Sequence, residues 1–239
     1  MKITVSLLIV LFCGIIPLKA QFVSFDIADM DSGKMPKQIE PLLQSISLSS
    51  SRHFFSLINI NNRLGIGFAY SQGFTLSGEK YSSDRTGGYP NFYGSLLVTQ
   101  NLLLKGNISL FKSGDETVQS FAYGFGLNIT ERENYNWRAS VLFAQLQDPD
   151  DMKNRSVDLA IINDFSIGKF PLFIGIGLNS YKTKFLFDVE NSTTKSLKGN
   201  AHHILFGGRV NKGNFIFIPV FQVNSSIAIF SIEIINSLK

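Results

Sequence analysis

Cysteine is nearly absent from this 239-residue chain: Cys13 is the only one, and it falls in the opening apolar stretch. The rest of the chain therefore has no disulfide framework and no thiolate chemistry. Charge is scarce as well, at 17% of residues against the roughly 25% usual in soluble domains. Three histidines are present, His53, His202 and His203. The last two are adjacent and so point to opposite faces of an extended strand. With no His-x-x-x-His spacing and no cysteine to join them, neither a metal centre nor a cofactor site is expected. A long apolar run is missing too. Beyond the first twenty residues nothing approaches the roughly 18 apolar residues a spanning helix needs, so any passage through a membrane has to be made by a closed barrel.

Residues 1–20 read as a secretory signal. Lys2 precedes an uninterrupted apolar run from Val5 to Cys13 that continues through Ile15 and Ile16, and Leu18-Lys19-Ala20 suits cleavage after Ala20. Phe12 before Cys13 fits a lipoprotein box poorly. Lys2 and Lys19 supply two of the 22 basic residues, so the remainder sets 20 against 18 acidic ones, near neutrality. That balance, with no basic stripe interleaved with aromatics, excludes nucleic acid as a partner.

What is present is alternation. Phe121, Tyr123, Phe125, Leu127 and Ile129 alternate with Ser120, Ala122, Gly124, Gly126 and Asn128, which in a strand makes one face large and apolar and the other small or polar. A soluble half-buried strand carries long charged side chains on its exposed face; here that face is Gly, Ala and Ser. Lipid on the large face accounts for the difference. Leu64 to Ser71, Trp137 to Ala144 and Leu172 to Asn179 repeat the pattern.

The chain divides into the signal (1–20), an N-terminal segment (21–51) and a run of strands and turns (52–239). Within the segment, residues 22–27 read as a short strand. Ile39, Leu42, Leu43 and Ile46 fall at helical spacing over residues 38–46, and Pro36 and Pro41 limit that helix to a couple of turns. Eleven strands are predicted from Phe54 on. An even total then requires either 22–27 as a twelfth or 54–60 as less than a full strand. The pattern slips near Ser180, where a bulge or emergence from the bilayer is expected. Connections alternate between short (61–63, 101, 130–135, 168–171, 211–214) and longer (73–90, 112–116, 148–154, 187–200). This is the asymmetry of barrels with short periplasmic turns and long external loops.

With the signal, the short helical segment and Gly-rich strands such as Tyr123-Gly124-Phe125-Gly126-Leu127, the chain resembles a Gram-negative outer-membrane β-barrel protein. The segment before the strands is similar to the plug of the long-chain fatty acid transporter group. It departs from many outer-membrane barrels in ending Asn236-Ser237-Leu238-Lys239 rather than on an aromatic residue. The resemblance implies an all-β, antiparallel transmembrane barrel of about 10–12 strands in the outer membrane, with membrane lipids and the insertion machinery as partners.

Two residue sets carry the functional expectation. Lys105, Arg138, Asp158, Asp164, Arg209 and Glu233 fall on predicted inner faces, where mixed charges can pair across a narrow lumen. Ile39, Leu42, Leu43 and Ile46 form the apolar face of a segment that suits a plug inside the barrel, a periplasmic cap or a surface helix; as a plug it is expected to pack against Ile216, Ile218 and Val220. The functional reading is a narrow channel or transporter for small or hydrophobic solutes, or a structural membrane protein. A soluble secreted barrel with an apolar ligand inside is the alternative from another class; it needs the large residues to line the interior. A lipid-modifying enzyme is a third reading, with His203 and a serine as base and nucleophile. Serine is common here and the pairing is cheap, so the chain is expected not to be an enzyme.

Overall fold

The computed structural model describes residues 35–52, 63–76, 85–113, 116–132, 135–148, 152–186, 196–212 and 215–238. The predicted signal, the predicted strands at 22–27 and 54–60, and His53 lie outside the described residues. One helix, α1 (Met35–Ser50), precedes eleven strands. These are β1 (Leu64–Thr75), β2 (Arg85–Leu97), β3 (Leu102–Ser113), β4 (Glu116–Arg132), β5 (Tyr135–Gln147) and β6 (Met152–Ile167). They continue as β7 (Phe170–Phe185), β8 (Ser196–Gly208), β9 (Val210–Lys212), β10 (Phe215–Val223) and β11 (Ile227–Leu238).

From β1 to β8 each strand pairs antiparallel with the next, β10 follows β8, and β11 pairs with β10 and closes the ring on β1 from Leu64↔Leu238 to Thr75↔Ile227. Closure supplies ladder partners around the ring, and the shortest ladder between consecutive long strands is that of β2 and β3, which runs from Phe92↔Ile108 to Leu97↔Leu103. β8 and β9 are two parts of one stave, interrupted at Arg209, and both pair with β10. The barrel therefore has 10 staves, an even number reached without residues 22–27 or 54–60.

The faces divide by side-chain size. Leu104, Phe125, Val141, Leu159 and Leu178 lie in one continuous cross-strand row. All of them except the half-buried Val141 are exposed, Phe125 to 42% and Leu159 to 48%, whereas their neighbour Leu142 on the other face is fully buried. An apolar outer surface of this extent is a lipid-facing surface, since soluble monomers rarely expose contiguous apolar patches beyond a few hundred Å². The reading as a soluble barrel with an apolar interior is thereby overturned.

Glycine on the inner face has a steric reason. A Cβ at Gly67 would meet the ring of its partner Tyr93, one at Gly177 the ring of His203, and one at Gly199 the ring of Tyr181. Each ring folds across the strand beside it and fills the narrow interior. At the β6–β7 turn the requirement is conformational instead. Gly168 has φ 61°, and two-residue hairpins favour residues that reach positive φ.

Three expectations need correction. α1 runs through Pro41 for 16 residues, because that proline costs one backbone bond near the helix start while the residues that follow are buried in the lumen. Of the two readings at Ser180 the bulge does not occur: β7 keeps its register with β6 to Phe185, and the outward face turns polar at Ser180, Lys182 and Lys184, as emergence of the strand would give. The register shifts fall at Gln72/Phe74 and Asn128/Thr130 instead. The strands also run further than the alternation alone indicates, so much of the predicted 112–116 and 148–154 loops is strand.

Candidate functional site

α1 lies inside the ring, against β1, β2, β4 to β8 and β11. Asn224 Nδ2 donates to Gln44 Oε1 at 3.0 Å. Asn224 belongs to the β10–β11 turn, and that turn shares an end of the barrel with the β1–β2 connection, because Leu76 N–H bonds Ser226 O at 2.8 Å. The helix thus starts at the end with the longer connections and descends to Arg52 at mid-barrel.

Its upper part is apolar. Ile39, Leu42, Leu43 and Ile46 are buried in a cluster with Tyr89, Phe111, Val118, Leu146, Met152 and Tyr181, among others. They do not pack against Ile216, Ile218 and Val220, which belong to a separate cluster lower in the lumen with Tyr93, Ile162, Phe173, Leu205 and Ile235. The reason is direction. α1 enters from the opposite end, so its apolar face meets the upper wall and its polar end reaches down toward the lower cluster.

The lower part of α1 is serine-rich, and its last carbonyls are capped by the wall and by the chain's own Ser51. The last carbonyls of a helix have no partner within it. Here Asn91 Nδ2 donates to Ser49 O at 3.3 Å, Asn107 Nδ2 to Ser50 O at 3.2 Å, and Ser51 Oγ to Ser47 O at 2.6 Å. Ser47 Oγ donates to Asn179 Oδ1. Asn179 Nδ2 in turn donates to Ser51 Oγ at 2.7 Å and to Asp158 Oδ2 at 2.9 Å. Past the helix, Arg52 Nε donates to Glu233 Oε1 at 3.0 Å and Arg52 Nη1 to Ser71 Oγ at 2.6 Å.

Five of the six charged positions form two groups, and Lys105 stands apart from both. Asp158 and Glu233 are fully buried and meet the end of the plug. Asp164 lies lower and joins two guanidinium groups: Arg138 Nε stands 2.6 Å from its Oδ2 and Arg209 Nη2 2.5 Å from its Oδ1. Arg209 reaches it from the break between β8 and β9. Lys105 is buried beside Gly126, whose Cβ would meet Lys105 Cε at 3.3 Å.

His203 Nε2 stands 4.0 Å from Asp158 Oδ1 and its Nδ1 3.3 Å from Ala201 O, and among the described residues neither nitrogen is hydrogen-bonded to a serine hydroxyl. The ring is buried on the inner face, away from lipid. A base working on lipid esters needs a nucleophile in reach and access to the substrate. Among the described residues no group of His, Cys, Asp and Glu is placed to hold a metal ion.

Sequence reasoning missed Arg52, Asn91, Asn107 and Asn179, the residues that fasten the plug. Three of them are asparagines on inward strand positions, and alternation marks the face without naming the partner.

No family model matches the chain, and no curated protein matches it. Solved structures with a similar course of chain are outer-membrane barrels. The translocator domain of the autotransporter NalP from Neisseria meningitidis is 8% identical, with a TM-score of 0.48 over 81% of this chain and 92% of that one. An outer-membrane channel from Pseudomonas putida F1 is 7% identical, with a TM-score of 0.44 over 77% and 99%. The toluene transporter TbuX from Ralstonia pickettii is 8% identical, with a TM-score of 0.30 over 90% and 100%. At these values the likeness is one of general architecture.

Proposed function

We propose that this chain is an integral outer-membrane protein without catalytic activity, serving as a narrow, gated passage for small or hydrophobic solutes with α1 as the gate. Membrane lipids surround it, and the outer-membrane insertion machinery is its partner during assembly. The observation that carries the reading is the uneven character of the plug. A permanent filling is best made of apolar contacts, since burial of apolar surface is the main stabilising term. The lower half of α1 is fastened instead by hydrogen bonds with Asn91, Asn107 and Asn179, the first two donating and the third accepting from Ser47. Each such bond is worth about 1 kcal/mol net, because water replaces it when the contact opens. A plug held in this way can be displaced and can return.

The test is conductance in planar bilayers. The intact protein is expected to be nearly silent, and removal of residues 35–52 to give a steady pore while the strand ladder still closes. An intact protein that conducts freely, unchanged by the deletion, removes α1 from the mechanism.

A further inference from the structure

We infer that the outward face of β5 to β8, at the end where the longer connections lie, binds the phosphate groups of an outer-leaflet glycolipid. Arg155, Lys182 and Lys198 occupy one cross-strand row on this face, and Lys153 and Lys184 lie opposite each other in the next. All are exposed except the half-buried Lys153. Strands are about 4.8 Å apart, so the first row sets three cations within roughly 10 Å.

This arrangement is costly without an anion. Lys182 faces Arg155 on one side and Lys198 on the other, and like charges directly opposite across a sheet destabilise it. The outward positions of β5 to β8 hold no Asp or Glu. Among the described residues the polar partner of Arg155 is neutral: its Nε donates to Gln145 Oε1 at 3.2 Å.

The surroundings select a lipid over a free anion. Arg155, Lys182 and Lys198 rim a concavity of about 760 Å³ whose other wall includes Phe121, Tyr123, Phe143 and Val157. Phe143 and Val157 stand opposite each other one row nearer the apolar belt. An amphiphile fits this gradient with acyl chains along the aromatic wall and phosphates on the cations above, and guanidinium and ammonium groups bind phosphate by charge-assisted hydrogen bonds. Placement in the outer leaflet rests on the proposed outer-membrane orientation, with the longer connections outside.

The experiment uses the full chain in detergent and four probes: lipid A bearing both phosphates, dephosphorylated lipid A, phosphatidylglycerol and inorganic phosphate. Native mass spectrometry and competition titration report binding. Lipid A with both phosphates is expected to bind best, and R155Q/K182Q/K198Q to weaken it by roughly tenfold to a hundredfold. The charge-keeping K182R/K198R variant and K169Q/K212Q at the opposite end should bind as the parent does, and unchanged heat-modifiable migration on gels shows that each is folded. Equal binding by the triple-glutamine variant, or by dephosphorylated lipid A, overturns the site. Equal binding of phosphatidylglycerol overturns the glycolipid assignment, and displacement by inorganic phosphate at equal concentration reduces the site to a general anion patch. Binding in detergent does not depend on orientation in the cell, so reversed topology would show in surface labelling alone.

Discussion

Arg52 and Glu233 are 181 residues apart in sequence and meet in the middle of the barrel, with Nη2 of one 2.9 Å from Oε1 of the other and both side chains almost fully buried. The pair joins the end of the plug segment to the strand that closes the ring. Ser71 Oγ accepts from Arg52 Nη1, and Ser231 Oγ donates to Ser71 Oγ at 3.0 Å. The contact is therefore part of a network spanning β11 and β1 at the seam of closure. Isolated burial of either charge is unfavourable, whereas the two together satisfy each other.

The first prediction follows from that asymmetry. Removing one partner leaves an uncompensated buried charge, at a cost of about 3–5 kcal/mol, while replacing both with apolar residues of similar volume is often neutral. Glu233→Ala should therefore release the end of the plug and raise the open probability of single channels. Arg52→Met combined with Glu233→Leu should restore a quiet barrel. A Glu233→Ala protein as silent as the parent would show that the pair does not hold the seal.

A second prediction separates lipid, lumen and backbone. Phe125→Arg places a charge on the outer face within the apolar row and should cost about 2–4 kcal/mol. Gly126→Ser comes tightly against the flexible end of Lys105 and within ordinary contact of Ala139 O, so folded yield should stay near the parent's. Gly124→Ala is the informative third case, because its Cβ would strike the backbone of Val141 and Leu142 on β5. It should reduce folded yield sharply although it adds one methyl group. Urea unfolding in vesicles orders the three; equal stability for Phe125→Arg and Gly126→Ser would mean Phe125 does not face lipid.

These residues also show what the sequence makes legible. Alternation along β4 identifies the lipid face residue by residue, because lipid imposes the same demand at every second position. Helical spacing identifies the buried face of α1 for the same reason. The partners of that face are not legible. The choice between Tyr89 with Phe111 and Ile216 with Ile218 depends on which end of the barrel the helix enters, and local periodicity carries no sign of direction. The strand ends are obscured because the outward face stays strand after its composition turns polar at Ser180, Lys182 and Lys184. The break at Arg209, which lets one guanidinium reach Asp164, is a property of pairing with β10 and leaves no local pattern.

Topology in the cell gives a third prediction. Ser225 lies in the β10–β11 turn at the end where α1 enters, and Lys169 lies in the β6–β7 turn at the other end; both are exposed. Cys13, the one native cysteine, is within the predicted signal, so single-cysteine variants are readable. Ser225→Cys should react with an impermeant maleimide on intact cells, and Lys169→Cys only after the outer membrane is opened. The reverse result inverts the barrel and moves the cationic face of β5 to β8 to the inner leaflet.

The last prediction distinguishes a moving plug from a fixed one. Ser47 Oγ donates to Asn179 Oδ1 across the contact between α1 and β7, so the two side chains touch, as residues chosen for a disulfide must. In a Ser47→Cys/Asn179→Cys variant, oxidation should fasten the middle of the gate to the wall. If α1 moves aside when solute passes, the oxidised protein should lose the openings that remain in the parent, and a reductant should restore them within the same recording. The reduced double variant is the internal control, since it carries both substitutions without the tether. Openings of equal frequency in oxidised and reduced protein would mean that whatever passes does so around a stationary helix, and α1 would then be a structural filling of the barrel.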